Sequence, residues 1–194
     1  MKNIFVRKIF PYDPTVNGKY SRYEGYCKIT LREEDPGIIF ENELKTPENI
    51  SIIFCSELKR AIESANAYYG NNLEIERLSE LNEILFELPL LVGRRDFEKY
   101  GSIIVRERFF KLLIEDRLNE KQADIKSRII NTIDKLNKLP EGNYLLISHS
   151  FYMKLFELYL KYGNFNFFQN NDFENIINFE NKLYEFGEGF DFRL

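Results

Sequence analysis

Three short stretches place ionisable side chains at the ends of apolar runs. "NIFVRKIF" (3 to 10) passes from Ile4, Phe5 and Val6 into Arg7 and Lys8. "ISIIFC" (50 to 55) leads into Ser56, with Arg60 one turn further on. "GNYLLISHS" (142 to 150) closes on Ser148, His149 and Ser150, and His149 is the only histidine in the chain. Arginine offers a planar fork of donors that matches phosphate or carboxylate oxygens, and lysine adds a point charge. Histidine titrates near neutrality. Together these types suit an anion, with phosphate the natural choice. Each also has a plainer reading: a solvated strand end for Arg7 and Lys8, and a hydrogen-bonded core residue for His149. A fourth stretch, "LSELNEILFELP", sets Glu80, Glu83 and Glu87 among apolar neighbours. A carboxylic acid beside a cationic pocket can act as a general acid. Three solvated loop charges are the alternative.

The elements that must position these groups follow from the pattern. The runs at 3 to 6, 50 to 55 and 142 to 148 read as strands, the last two buried on both faces. Residues 8 to 28 hold Pro11, Pro14, Gly18 and Gly25 and read as a long loop. Ser56 can cap a helix carrying Leu58, Ala61, Ile62, Ala65 and Tyr69 on one face, with Gly70 to end it. "LEIER" (73 to 77) is a short strand. Residues 94 to 138 are mostly helical, with Ile125, Ile129, Ile133 and Leu136 as one buried stripe. "FYMKLFELYLKY" is a helix with Phe151, Leu155, Leu158 and Tyr162 inward. "NIINFENKLYEF" reads as two short strands around a turn. Strands alternating with helices predict an α/β three-layer sandwich, a mainly parallel sheet flanked by helices, in one domain over 1–194. Ligands of such sheets bind at the strands' carboxyl ends. Arg7, Lys8, Arg60 and His149 therefore converge if their strands are neighbours. Helix N-termini at 56 and 150 would add amide donors.

Bulk properties bound the function. The 194 residues suit one core, and the net charge of -4 argues against a nucleic-acid partner, which needs a basic surface. Cys27 and Cys55 with one histidine make no convincing zinc site, and sequence leaves a disulfide open. No secretory signal or apolar stretch of roughly 20 residues is present, so a cytoplasmic location away from membranes is expected. The Phe- and Asn-rich segment 164 to 181 reads as compositional bias over a loop and strand.

Four segments in this order resemble the histidine phosphatase superfamily, with its phosphoglycerate-mutase-like fold. Its first strand ends in Arg-His-Gly, where this chain has "VRKI". Its second strand precedes a motif like Ser-x-Leu-x-Arg-Ala, and here "SELKRA" stands. "LNEILF" matches the region of its proton donor, and "LLISHS" matches its late Ser-His motif. The resemblance implies Arg7 and Arg60 as phosphate ligands, His149 as the second phosphate-binding histidine, and Glu83 as proton donor. It implies no metal and no cofactor. The helices over about 90–128 read as an insertion that would form a substrate lid in an enzyme; Arg94 and Arg95 near its start read as a solvated helix end. The departure is at the nucleophile, where Lys8 and Ile9 replace histidine and glycine. A lysine amine has an ordinary pKa of about 10.4 and is mostly protonated at neutrality.

The expected function is therefore binding of a phosphorylated small molecule or other anion without phosphohistidine chemistry. Two alternatives stand beside it. One is a phosphatase or phosphotransfer enzyme with a changed mechanism using Lys8, Glu83 and His149. The other is a non-catalytic protein-interaction domain built on the aromatic C-terminal segment.

Overall fold

A computed structural model of the chain describes residues 1–11, 19, 21–39, 47–69, 73–169 and 177–194. Its strands are β1 (Lys2–Lys8), β2 (Ile50–Cys55), β3 (Ile75–Arg77), β4 (Gly142–Ser148) and β5 (Gly189–Arg193). Its helices are α1 (Tyr23–Thr30), α2 (Lys59–Tyr69), α3 (Leu88–Leu91), α4 (Arg94–Tyr100), α5 (Ser102–Ile114), α6 (Gln122–Lys138) and α7 (Ser150–Tyr162). Short 3-10 turns occupy Ser79–Leu81 and Asn166–Gln169.

The strand order is β3-β2-β4-β1-β5. β4 is parallel to both β1 and β2, β3 is parallel to β2, and only β5 runs antiparallel, against β1. β4 sits at the centre because both of its faces are apolar. Tyr144 and Leu146 enter one core with Ile4, Val6 and Phe54. Leu145 and Ile147 enter a second core with Ile53, Ala61 and Ala65. Helices α5, α6 and α7 cover the first face through Phe109, Ile125, Ile129 and Phe156, while α2 covers the second. This is the α/β sandwich with a mainly parallel sheet that the sequence pattern predicts.

Several local expectations change. Part of the long loop expected over 8 to 28 is helix α1, with Ile29 buried. Pro14 and Gly18 of that loop and the helix stop at Gly70 lie outside the described residues. Tyr162 is 42% exposed, because the last turn of α7 runs past the sheet. The two strands expected near residues 175 to 187 are replaced by β5 further along; within that stretch, residues 175–176 lie outside the described residues. The strand forms there because Phe190 and Phe192 alternate inward onto Phe156, at ring separations of 6.1 and 5.6 Å. Cys27 and Cys55 are both free thiols. Among the described residues no helix is long and apolar enough to cross a membrane.

β5 also requires a glycine. A Cβ built on Gly189 would lie 1.8 Å from the Val6 carbonyl oxygen across the β1–β5 ladder. Gly189→Ala is expected to destabilise the chain by about 1–3 kcal/mol, as overpacking does. Urea denaturation measures this; an unchanged midpoint would show that β5 does not hold this register.

Candidate functional site

The β2-β4-β1 order brings the carboxyl ends of all three strands together. A cavity of about 270 Å³ opens there. Its cationic wall holds Lys8, Arg32, Arg60 and Arg106, and Glu83 and His149 also face it. Its apolar lining includes Ile84, Phe86, Val105 and Phe151. Lys8, Arg60, Glu83 and His149 are thus brought together as the sequence suggests.

Arg7 is not. A strand sends successive side chains to opposite faces. Lys8 continues the Ile4–Val6 face toward the cavity, and Arg7 turns away. Its Nη1 pairs with Asp191 Oδ1 at 2.6 Å and donates to the carbonyls of Val6 and Phe190. The expectation that Arg7 faces the pocket is corrected by the antiparallel strand β5, which supplies it with a carboxylate elsewhere.

Arg60 is 3% exposed. Asp35 anchors it, Oδ1 accepting from Nη1 at 2.6 Å, and Asp35 Oδ2 also accepts the Lys59 amide at the start of α2. The other edge of the guanidinium is unpaired: Nε is buried with no hydrogen-bond partner among the described residues, and the guanidinium's one hydrogen bond among them runs from Nη1 to Asp35. Burying a donor unpaired costs roughly 1–3 kcal/mol, so such a fork marks a place for an acceptor from outside the chain.

His149 stands between β4 and α7 and is 3% exposed. Its tautomer is dictated from behind. Asn82 Oδ1 accepts the Glu57 amide at 2.9 Å and the Ser56 hydroxyl at 2.7 Å, while Asn82 Nδ2 donates to Glu57 Oε2 at 3.2 Å. Ser56 has one proton and gives it to Asn82, so its Oγ must accept from His149 Nε2, 2.9 Å away. The Leu58 amide also donates to Ser56 Oγ, but α2 begins only at Lys59, so Ser56 shapes the turn before the helix and does not cap a first-turn amide as expected. His149 Nδ1 is left with its lone pair. Burial, then Arg60, Arg32, Arg128 and Lys8, hold its pKa well below the ordinary histidine value. The ring is therefore neutral at physiological pH.

Glu83 plugs the start of α7. Oε1 accepts the Ile84 and Tyr152 amides, both at 3.0 Å, and Oε2 accepts the Phe151 amide at 3.3 Å. The Phe151 and Tyr152 amides of α7 are thereby used inside the protein, as the Lys59 amide of α2 is by Asp35. Each helix N-terminus expected to meet the anion thus carries a carboxylate of the chain itself. Burial raises the Glu83 pKa, against the lowering effect of those amides and of Arg60. Two lone-pair positions on Oε1 and one on Oε2 are taken, which leaves a single place for a proton, on Oε2. Glu80 and Glu87 do not line the cavity. Arg128 reaches the Glu80 and Asn82 carbonyls and so supports the turn that carries Glu83.

Lys8 donates to the Tyr184 carbonyl at 2.9 Å and lies 4.2 Å from the centroid of the Phe186 ring. Burial lowers its pKa to about 8; Glu185 opposes this, Lys182 adds to it, Glu83 opposes and Arg106 adds. Ile9, in the place of the expected glycine, is buried in the second core with no left-handed backbone. Arg32 and Arg106 were missed by sequence reasoning. Arg32 follows α1 with φ of 59° and donates to the Glu83 carbonyl at 2.6 Å. Arg106 lies on α5 and holds the Phe179 carbonyl. Neither follows a strand, so neither carried the signal that marked the others. Arg94 is paired with Glu24 on the surface and 59% exposed, as expected of a helix start.

A model of the histidine phosphatase superfamily (branch 1) matches residues 40–177, more than half of the chain. The chain belongs to that superfamily. The matched span begins after β1 and so leaves out Lys8. Similar solved structures include a putative alpha-ribazole-5'-P phosphatase from Escherichia coli, at 18% identity and a TM-score of 0.55, covering 82% of this chain and 79% of that one. YhfR of Bacillus stearothermophilus is 15% identical with a TM-score of 0.52, covering 82% and 79%. The phosphoserine phosphatase of Entamoeba histolytica, in complex with 3-phosphoglyceric acid, is 17% identical with a TM-score of 0.50, over the same shares. At these identities the likeness is one of fold. No curated protein matches the chain.

As the sole histidine, His149 can be followed by ¹⁵N NMR. Its ring is expected to stay neutral, protonated on Nε2, as pH falls through the ordinary histidine range. The unfolded chain takes up a proton below about pH 6.5 that the folded chain does not, so this group's contribution to stability is present above that pH and falls as pH falls. A ring that titrates at the ordinary value would contradict the assigned burial and tautomer.

Proposed function

We propose that the cavity binds the phosphoryl or similar anionic group of a small molecule and that the chain does so without phosphohistidine chemistry. The observation that carries this reading is the unpaired edge of Arg60, a buried Nε with no partner among the described residues, in a guanidinium already anchored by Asp35 through Nη1. A tetrahedral anion accepts from Nε and Nη2 at once. Arg32 and Lys8 add charge on the same wall, and His149 Nδ1 can accept from a protonated phosphate oxygen. Membership of the histidine phosphatase superfamily supports the ligand class. The replacement of imidazole by an amine at Lys8 supports the absence of the usual covalent intermediate, since covalent catalysis by lysine is directed at carbonyl carbon and not at phosphorus.

Isothermal calorimetry with inorganic phosphate tests the binding. Wild type is expected to bind, Arg60→Gln to bind at least about tenfold more weakly, as loss of charge-assisted hydrogen bonds predicts. Arg7→Gln should bind within about twofold of wild type, because Arg7 faces Asp191 instead. No binding by wild type, or equal loss in Arg7→Gln, would overturn the assignment.

A second reading is favoured by Glu83, whose raised pKa and single open proton position suit a general acid. It makes the chain a phosphomonoester hydrolase of altered mechanism. Turnover of p-nitrophenyl phosphate by wild type, abolished in Glu83→Gln and Lys8→Ala, would establish it. Absence of turnover across a panel of phosphate esters leaves the binding reading.

A further inference from the structure

Lys8 is the primary amine of the cavity that makes no ion pair among the described residues, Lys182 being paired with Glu185, although Glu185 and Glu83 are near enough to influence its charge. Glu185 is paired with Lys182 at 2.8 Å, and Glu83 is held by the amides of Ile84, Phe151 and Tyr152. The Lys8 amine instead meets one carbonyl, that of Tyr184, and the face of Phe186. A single carbonyl acceptor satisfies one N–H and leaves a neutral amine with its lone pair uncommitted. The surrounding charged groups come from every side: Lys182 and Glu185 from the segment before β5, Glu83 from the turn after β3, and Arg106 from α5. The amine shares its cavity with Arg60, Arg32 and the apolar wall of Ile84, Phe86 and Phe151. At pH 7.5 a pKa of about 8 leaves roughly a quarter of such amines unprotonated, against about one in a thousand at the ordinary value. An uncharged, partly desolvated lysine attacks carbonyl carbon readily and phosphorus poorly.

We infer that Lys8 is a covalent capture site for a small aldehyde or ketone that carries a phosphate group, the phosphate resting on Arg60 and Arg32 while the carbonyl meets the amine. The lone pair of Nζ forms a bond to the carbonyl carbon, the carbonyl π pair moves to oxygen, and one of the two Nζ protons passes to that oxygen, giving a neutral carbinolamine. Protonation of its hydroxyl lets it leave as water while the nitrogen lone pair forms the C=N bond, and loss of the last N–H proton from this iminium leaves a neutral imine, so that amine and carbonyl give imine and one water. Glu83, with its one open position on Oε2, is the acid within the cavity that can serve the departing water. No oxidant, reductant or metal enters the balance. The inference rests on the anion-site reading and names the ligand that this site would take.

The test uses the full chain with pyridoxal 5'-phosphate as the probe and pyridoxal as its phosphate-free counterpart. After borohydride reduction, peptide mass mapping locates the adducts on the wild-type protein itself, so no variant has to fold for the result to count. A dominant adduct on Lys8, more than about tenfold slower with pyridoxal because the anchor is missing, is expected. Inorganic phosphate should suppress it, and Lys8→Arg should lack it. Adducts scattered over other lysines with no preference for Lys8 would overturn the inference. So would equal labelling of Lys8 by both probes. Phosphate calorimetry on the same sample separates the two readings. Normal phosphate binding with an unreacted Lys8 removes the capture site and leaves the anion site standing. No phosphate binding, with Lys8 labelled equally by both probes, removes the anion site and the proposed ligand class with it.

Discussion

The register of β4 between β1 and β2 is the constraint on which the rest depends. Lys8 pairs with Ser148, and Cys55 with Ile147, so three strands end within a residue of one another. The Ile9 amide donates to the Ser148 carbonyl and the Ser56 amide to that of Ile147, which extends the ladder to the point where the chain turns out. A slip of one residue would send the buried set Tyr144 to Ile147 to the wrong cores, since each face of β4 packs against different helices. With that register held, Lys8, Arg60 and His149 have no choice but to share a cavity.

Two internal carboxylates then decide what kind of anion site this is. Asp35 lies over the start of α2 and Glu83 over the start of α7. Each helix end, with its favourable dipole, has some of its amides bonded to a carboxylate of the protein itself. Recognition of an outside anion falls to side chains, chiefly the open edge of Arg60. Asp35 also holds that guanidinium in place before any ligand arrives, which lowers the entropy lost on binding. Behind the site, Asn82 and Ser56 set the proton of His149 on Nε2, so the nitrogen left open is an acceptor.

How much of this was legible varies with the physical signal. Apolar runs of six or seven residues and 3–4 periodicity located β2, β4, α2, α6 and α7, because burial on defined faces imposes those patterns. Lys8, Arg60, Glu83 and His149 were legible because three follow strands directly or by one turn and the fourth sits in an apolar segment. Arg32 and Arg106 were not, since they reach the cavity from helices distant in sequence. Arg7 misled, because the side of the sheet it takes depends on β5, far along the chain. β5 itself was misplaced: its alternation of Phe190 and Phe192 is short and lies beside other aromatic residues.

The sequence by itself determined the layered α/β architecture, the superfamily and the substitution of Lys8 and Ile9 at the nucleophile motif, because those depend on local pattern and residue identity. Only the tertiary structure decided that Arg7 belongs to Asp191 and not to the cavity, that an internal carboxylate sits at each helix N-terminus, and that Arg60 keeps an unpaired donor. These outcomes depend on which charged groups meet across long sequence separations. A hydrogen bond is set by angstroms and orientation, and no spacing along the chain encodes either.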